Sequence, residues 1–90
     1  MTPTYGLAEH VVCRKTNTAL RMLFDRQKGV MYELNESASA VVGLLEREPA
    51  SLDVLTSALV AEFAAPRDEI RADVEQMLAD FADAGLVVTQ

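Results

Sequence analysis

The sequence predicts an α+β fold of winged-helix-like layout, a three-stranded antiparallel sheet followed by three helices. Three observations carry that prediction. Apolar residues alternate with polar ones up to about Asn35 and recur at helical spacing after it. Polar turn sequences, Thr16-Asn17-Thr18 and Asp25-Arg26-Gln27-Lys28-Gly29, punctuate the first part. Capping and stopping residues (Asn35, Pro49, Ser51, Pro66 and Gly85) divide the second part into three segments.

The first strand is expected within Ala8–Lys15, around Val11, Val12 and Cys13, with mixed alternation. The second lies within Ala19–Asp25. It puts Leu20, Met22 and Phe24 on one face and Arg21 and Asp25 on the other, with Leu23 breaking the polarity of that second face. The third, Gly29–Leu34, sets Val30, Tyr32 and Leu34 against Met31 and Glu33. Asn35 can cap a helix over Glu36–Arg47, because its side-chain oxygen can accept an orphan amide of the first turn. Ala38, Val41, Val42 and Leu45 form its apolar stripe, and Pro49 stops it. Ser51 caps a second helix with Leu52, Leu55, Leu59 and Phe63 on its buried face. Pro66 suits the first position of a third helix, along which Ile70, Val74, Met77, Leu78 and Phe81 recur. Gly85 suits the residue just past its end, and Leu86-Val87-Val88-Thr89 is apolar enough to dock or to add a short strand. Helices two and three, separated by Ala64-Ala65-Pro66, suit a helix-turn-helix pair.

The 90 residues predict a single domain, 1–90, with a modest core, and residues 1–7 are expected to be flexible. No apolar run approaches the length of a membrane span. The start, Met1-Thr2-Pro3-Thr4-Tyr5-Gly6, lacks the basic and apolar regions of a signal peptide. With one cysteine, Cys13, there is no internal disulfide framework. A cytoplasmic location is the expectation.

Catalytic parts are scarce. His10 is the only histidine, and its odd spacing from Cys13 puts the two on opposite faces of a strand. Neither the ligand spacing of a zinc site nor a glycine-rich phosphate loop is present. The expectation is a binding protein rather than an enzyme, with no cofactor and no metal.

Charge weighs against nucleic acid as the partner. Residues 1–35 carry five cations against three acids, whereas residues 36–90 carry three cations against eleven acids. The third helix sets Arg67 and Arg71 against Asp68, Glu69, Asp73, Glu75, Asp80 and Asp83. DNA affinity rests largely on neutralising phosphates, so such a helix is repelled from the groove. A winged-helix regulator of transcription is therefore the disfavoured alternative.

What remains is a binding surface. An open sheet edge offers unpaired N–H and C=O groups to an extended peptide. Val30, Met31, Tyr32, Glu33 and Leu34 are the better edge candidate, being short, free of proline and carrying one charge. The C-terminal tail or a second copy of the chain, making a homodimer, could cover that edge instead. The third helix supplies the other wall. Ile70, Val74, Met77 and Phe81 form the centre of its apolar stripe, Arg67, Arg71 and Leu78 flank one side, and Asp73 and Asp80 the other. A peptide's apolar anchor would be buried beside the edge strand, with Arg67, Arg71 or Asp73 setting its orientation.

Three runs in this order carry a resemblance: Tyr32-Glu33-Leu34-Asn35-Glu36-Ser37-Ala38, then Arg71-Ala72-Asp73-Val74, then Gly85-Leu86-Val87 after Phe81. Over roughly residues 8–88 the chain resembles the PqqD-like family of precursor-peptide chaperones. The resemblance implies a winged-helix-like fold of three strands and three helices. It implies a leader peptide added along the third strand, in the cleft against the third helix, here Val30–Leu34 and the Arg67–Leu78 flank. Asn17-Thr18-Ala19-Leu20 looks more like the stand-alone leader-binding subunit of lasso-peptide maturation. That subunit's partners would be a precursor leader peptide and a separate leader peptidase or other peptide-modifying enzyme. The alternative within the family is a peptide chaperone of pyrroloquinoline quinone biosynthesis, working with a radical enzyme. Val41-Val42-Gly43 departs from that pathway's pattern, where an aromatic is common in the first helix.

Overall fold

The computed structural model describes residues 2–90. Its elements are β1 (Thr4–Leu7), β2 (Val11–Lys15), β3 (Arg21–Asp25), β4 (Val30–Glu33), α1 (Glu36–Arg47), β5 (Ala50–Ser51), α2 (Leu52–Glu62), α3 (Arg67–Asp83) and β6 (Val87–Thr89). The expected meander is present as an antiparallel sheet of order β2-β3-β4. The three helices follow it, so the α+β expectation holds.

The helix boundaries are set by local chemistry. Asn35 Oδ1 accepts the Ala38 amide at 2.9 Å and Ser51 Oγ accepts the Val54 amide at 3.2 Å, so both helices start where a side chain replaces a missing carbonyl. Pro66 is the N-cap of α3, one position earlier than the sequence places it, with no side-chain bond. At the other end Gly85 takes φ +76°. Its amide donates to Ala82 at 3.0 Å and the Leu86 amide to Phe81 at 2.8 Å. This is a Schellman stop, and it delivers Leu86 into the core.

Three features depart from the expectation. First, Thr4–Leu7, where the sequence suggests no strand, forms β1. It is the central strand of a second small sheet, order β5-β1-β6, paired with Ala50–Ser51 on one side and Val87–Thr89 on the other. Tyr5 and Leu7 alternate onto the core while the backbone of both neighbours satisfies the strand. Met1 lies outside the described residues. Second, the first meander strand begins at Val11, because Ala8–His10 form a turn closed by the Val11 amide on Ala8 at 3.1 Å. Third, the inner face of β3 is the one that carries Leu23, which is fully buried, rather than Met22 and Phe24. The two polar residues beside Leu23 are accommodated at the strand's ends. The Arg21 amide donates to Ser39 Oγ at 2.8 Å, and its guanidinium reaches Glu46 at 2.7 Å across α1. Gly43 makes that crossing fit, since a Cβ there would stand 2.9 Å from Arg21 Nε. Asp25 Oδ1 accepts the Gln27 and Lys28 amides at 2.9 and 3.0 Å, tying the β3–β4 turn.

The core has two joined parts, and α1 feeds both. Val41 and Leu45 pack with Leu55, Leu59, Val74 and Leu78 of the other helices. Ala38 and Val42 pack with Leu23, Leu34 and Leu86 beneath the sheet. Met77 and Phe81 lie half-buried against both parts. This fixes the position of α3 relative to β4.

Candidate functional site

Among the described residues no strand pairs with the outer edge of β4. β3 occupies its other side, and the C-terminal tail, which could have covered it, pairs with β1 instead. The ladder decides which backbone groups are available. The Leu34 amide donates to the Arg21 carbonyl at 3.1 Å, and Tyr32 lies opposite Leu23. Backbone groups alternate sides along an antiparallel strand. The N–H and C=O of Met31 and Glu33 therefore face outward, away from β3. Their side chains are exposed, and that of Met31 is 57% accessible. Tyr32 and Leu34 turn inward onto the core.

Beside this edge runs a cleft against α3. β4 and α3 run in opposite directions. At one end Lys28 Nζ donates to the Ala84 carbonyl at 3.0 Å, and at the other Leu34 and Asn35 approach Asp73 and Met77. The cleft has about 340 Å³, with Leu34, Ala38, Met77 and Phe81 as its apolar lining and Glu33, Asn35, Asp73, Gln76 and Asp80 as its polar one. A smaller hollow of about 190 Å³ continues past Asp73 and Met77, bounded by Ser37, Leu59, Phe63, Ala65, Ile70 and Val74. These open, apolar-bottomed spaces suit side chains hanging from an extended backbone. The larger sits at the bottom of the small-molecule range of about 300–1,000 Å³.

The residues singled out from the sequence separate into two groups. Glu33, Leu34 and Asp73 meet in the cleft, and Ile70 and Val74 border the hollow. Val30, Met31 and Tyr32 belong to the edge strand itself. Arg67, Arg71 and Leu78 line neither space. Leu78 is core, at 2% exposure, and the Arg71 guanidinium pairs with Asp53 of α2, on the flank of α3 turned away from β4. Gln76, Met77, Asp80 and Phe81 form the helix wall in their place, with Asn35, Ser37 and Ala38 contributed by the start of α1. The signal for that wall was present. Asp73, Gln76, Met77, Asp80 and Phe81 recur at three- and four-residue steps and so share one face.

His10 and Cys13 are not brought together. His10 Nε2 lies 3.5 Å from Asp25 Oδ2, whereas Cys13 Sγ accepts from the Arg21 guanidinium at 3.5 Å. Burial pushes the Cys13 thiol above its ordinary value, so the reactive thiolate is scarce at neutral pH. Among the described residues no group of three or more His, Cys, Asp and Glu could hold a metal ion, and no helix is long and apolar enough to cross a membrane.

The model of the family described as Coenzyme PQQ synthesis protein D (PqqD) matches residues 21–87, from β3 through α3 to the first residue of β6, and so covers the whole cleft. The chain belongs to the PqqD family. Two solved structures share the PqqD-family chain's fold. TbiB1, in complex with the TbiA(beta) leader peptide, superposes with a TM-score of 0.84 at 22% identity, over 91% of this chain and 93% of that one. A lasso peptide synthetase B1, complexed with the leader peptide, gives 0.79 at 20% identity over 93% and 96%. No match is found among curated proteins.

Proposed function

We propose that this PqqD-family chain binds the leader segment of a ribosomally made precursor peptide by adding it as a strand to β4. It then presents that peptide to a separate maturation enzyme, a leader peptidase of lasso-peptide-type biosynthesis. The observation that carries the reading is an unpaired strand edge set directly beside an apolar cleft. Met31 and Glu33 offer two donors and two acceptors to an extended backbone, each bond contributing about 0.5–1.5 kcal/mol net. One Leu-sized anchor buried between Leu34, Met77 and Phe81 adds roughly 1.5–3 kcal/mol. Two anchors and the ladder together suffice for micromolar binding, near −8 kcal/mol. The fold shared with two proteins that carry leader peptides supports the same reading. The role is binding, with the chemistry left to the partner enzyme and no cofactor held here. Its place is the cytoplasm, where precursors are made.

The test is fluorescence anisotropy of a labelled leader from the precursor encoded beside this chain, with a scrambled leader and a DNA duplex as controls. Saturable binding at micromolar or lower concentration by the true leader alone is the expected result. Preference for the duplex would revive the winged-helix regulator. The family's description favours a second reading, a peptide chaperone of quinone-cofactor synthesis working with a radical enzyme. It predicts binding to that pathway's precursor and none to a lasso leader. Sedimentation of the free chain tests whether β4 pairs with a second copy when no peptide is present.

A further inference from the structure

We propose that the peptide segment seated in this cleft is basic as well as apolar, carrying Lys or Arg beside its apolar anchors. The inference rests on reading the cleft as the peptide site and names the class of peptide it takes. Among the described residues no Lys, Arg or His lines the cleft or the adjoining hollow, whereas Glu33, Asp73 and Asp80 do. Of the cations on the neighbouring elements, Arg71 pairs with Asp53, Lys28 donates to the Ala84 carbonyl at the far end, and Arg67, at the start of α3, lines neither space. Glu33 and Asp73 make no ion pair among the described residues. Asp80 is held along the wall by Gln76 Nε2, which donates to it at 3.0 Å.

The arrangement sorts peptides by charge. An acidic side chain entering between β4 and α3 would stand within a Debye length, about 8 Å at physiological salt, of carboxylates it cannot neutralise. A Lys or Arg stem can lie along Met77 and Phe81 while its charged head reaches Asp73 or Asp80. On the strand side of the cleft, Glu33 favours a cation at the position directly opposite it in the added strand. Rim charges of this kind act on encounter rate and partner choice more than on final affinity.

The experiment is selection of a display library of random peptides on the purified chain, and on its Asp73→Asn/Asp80→Asn variant. Anisotropy of one selected basic peptide against both proteins follows, at low and raised ionic strength. The supporting result is a wild-type set that combines apolar anchors with an excess of Lys and Arg, an excess the variant's set lacks. The selected peptide should bind the variant about two- to fivefold more weakly per carboxylate removed and lose affinity as salt rises. A wild-type set rich in apolar anchors without a basic excess, or the same excess from the variant, overturns the inference and leaves peptide binding standing. If no peptide is enriched by either protein, the reading of the cleft as a peptide site fails, and the inference with it.

Discussion

Met31→Pro tests the proposed strand addition at β4 separately from folding. The Met31 amide faces the open edge, so proline there removes a donor that no group among the described residues uses. Its side chain is more than half exposed, and proline is tolerated on edge strands. The residue before it, Val30, is already extended, as a residue preceding proline must be. Stability should therefore change by about 1 kcal/mol or less. Binding loses one ladder bond of about 0.5–1.5 kcal/mol, and the peptide carbonyl that faced it is left unpaired, at about 1–3 kcal/mol if no water reaches it. A total near 2 kcal/mol weakens the leader's Kd by roughly thirtyfold. Tyr32→Pro is the contrasting control. Tyr32 faces Leu23 within the ladder and packs on the core, so that change should unfold the sheet rather than spare it. Thermal melts and leader anisotropy on both variants provide the readout. A Met31→Pro protein that melts like the wild type and binds the leader undiminished would refute strand addition at β4.

Four further outcomes are expected. Met77→Ala removes half-buried lining from the cleft and should weaken leader binding by about 1 kcal/mol, roughly fivefold, measured by the same anisotropy. Arg71→Ala breaks an exposed pair with Asp53 on the far flank, so the leader's Kd should stay unchanged and stability should fall by less than about 1 kcal/mol. Asn35→Ala deletes the cap on Ala38 and should cost about 1 kcal/mol, lowering Tm by some 4–8 °C. The Lys28 and Gln27 amides hold the Asp25 carboxyl below its ordinary value, with nearby His10 and Lys28 charge acting in the same direction. Its folded pKa is thus lower than its unfolded one. The stability it contributes is full above about pH 4 and is lost as pH falls through the folded value. Acid melts of Asp25→Asn should therefore show a shallower loss in that window than the wild type.

The parts of the fold legible in the sequence are those decided within a few residues. A cap such as Asn35 or Ser51 needs only its own oxygen and an amide three residues on. Gly85 is readable because a left-handed residue at a helix end favours a missing Cβ. The second sheet was not readable. β5 is two residues long and has no period, and β1, Thr-Tyr-Gly-Leu, finds its partners near residues 50 and 88, in the middle and at the far end of the chain. The inward face of β3 was ambiguous for a related reason. Met22 and Phe24 make the more apolar face, but burial goes to the side where Ser39, Glu46 and the turn amides can take the flanking Arg21 and Asp25.

The cleft divides along the same line. Its strand half follows from alternation and the absence of proline, both local. Its helix half required a choice between two flanks of α3, and periodicity ranks the flanks equally. Burial of Ile70, Val74 and Leu78 sets the rotation of α3. Arg71 then falls against α2, where it meets Asp53, and the flank of Asp73, Gln76 and Asp80 is left to β4. One ion pair of little energetic weight thus marks which charges reach the cleft. The acidic excess that makes α3 unfit for a DNA groove is the same excess that gives the cleft its wall. If the cleft is the peptide site proposed above, the charge asymmetry visible in the sequence would bear on partner choice twice, turning phosphate backbones away and favouring a cationic peptide.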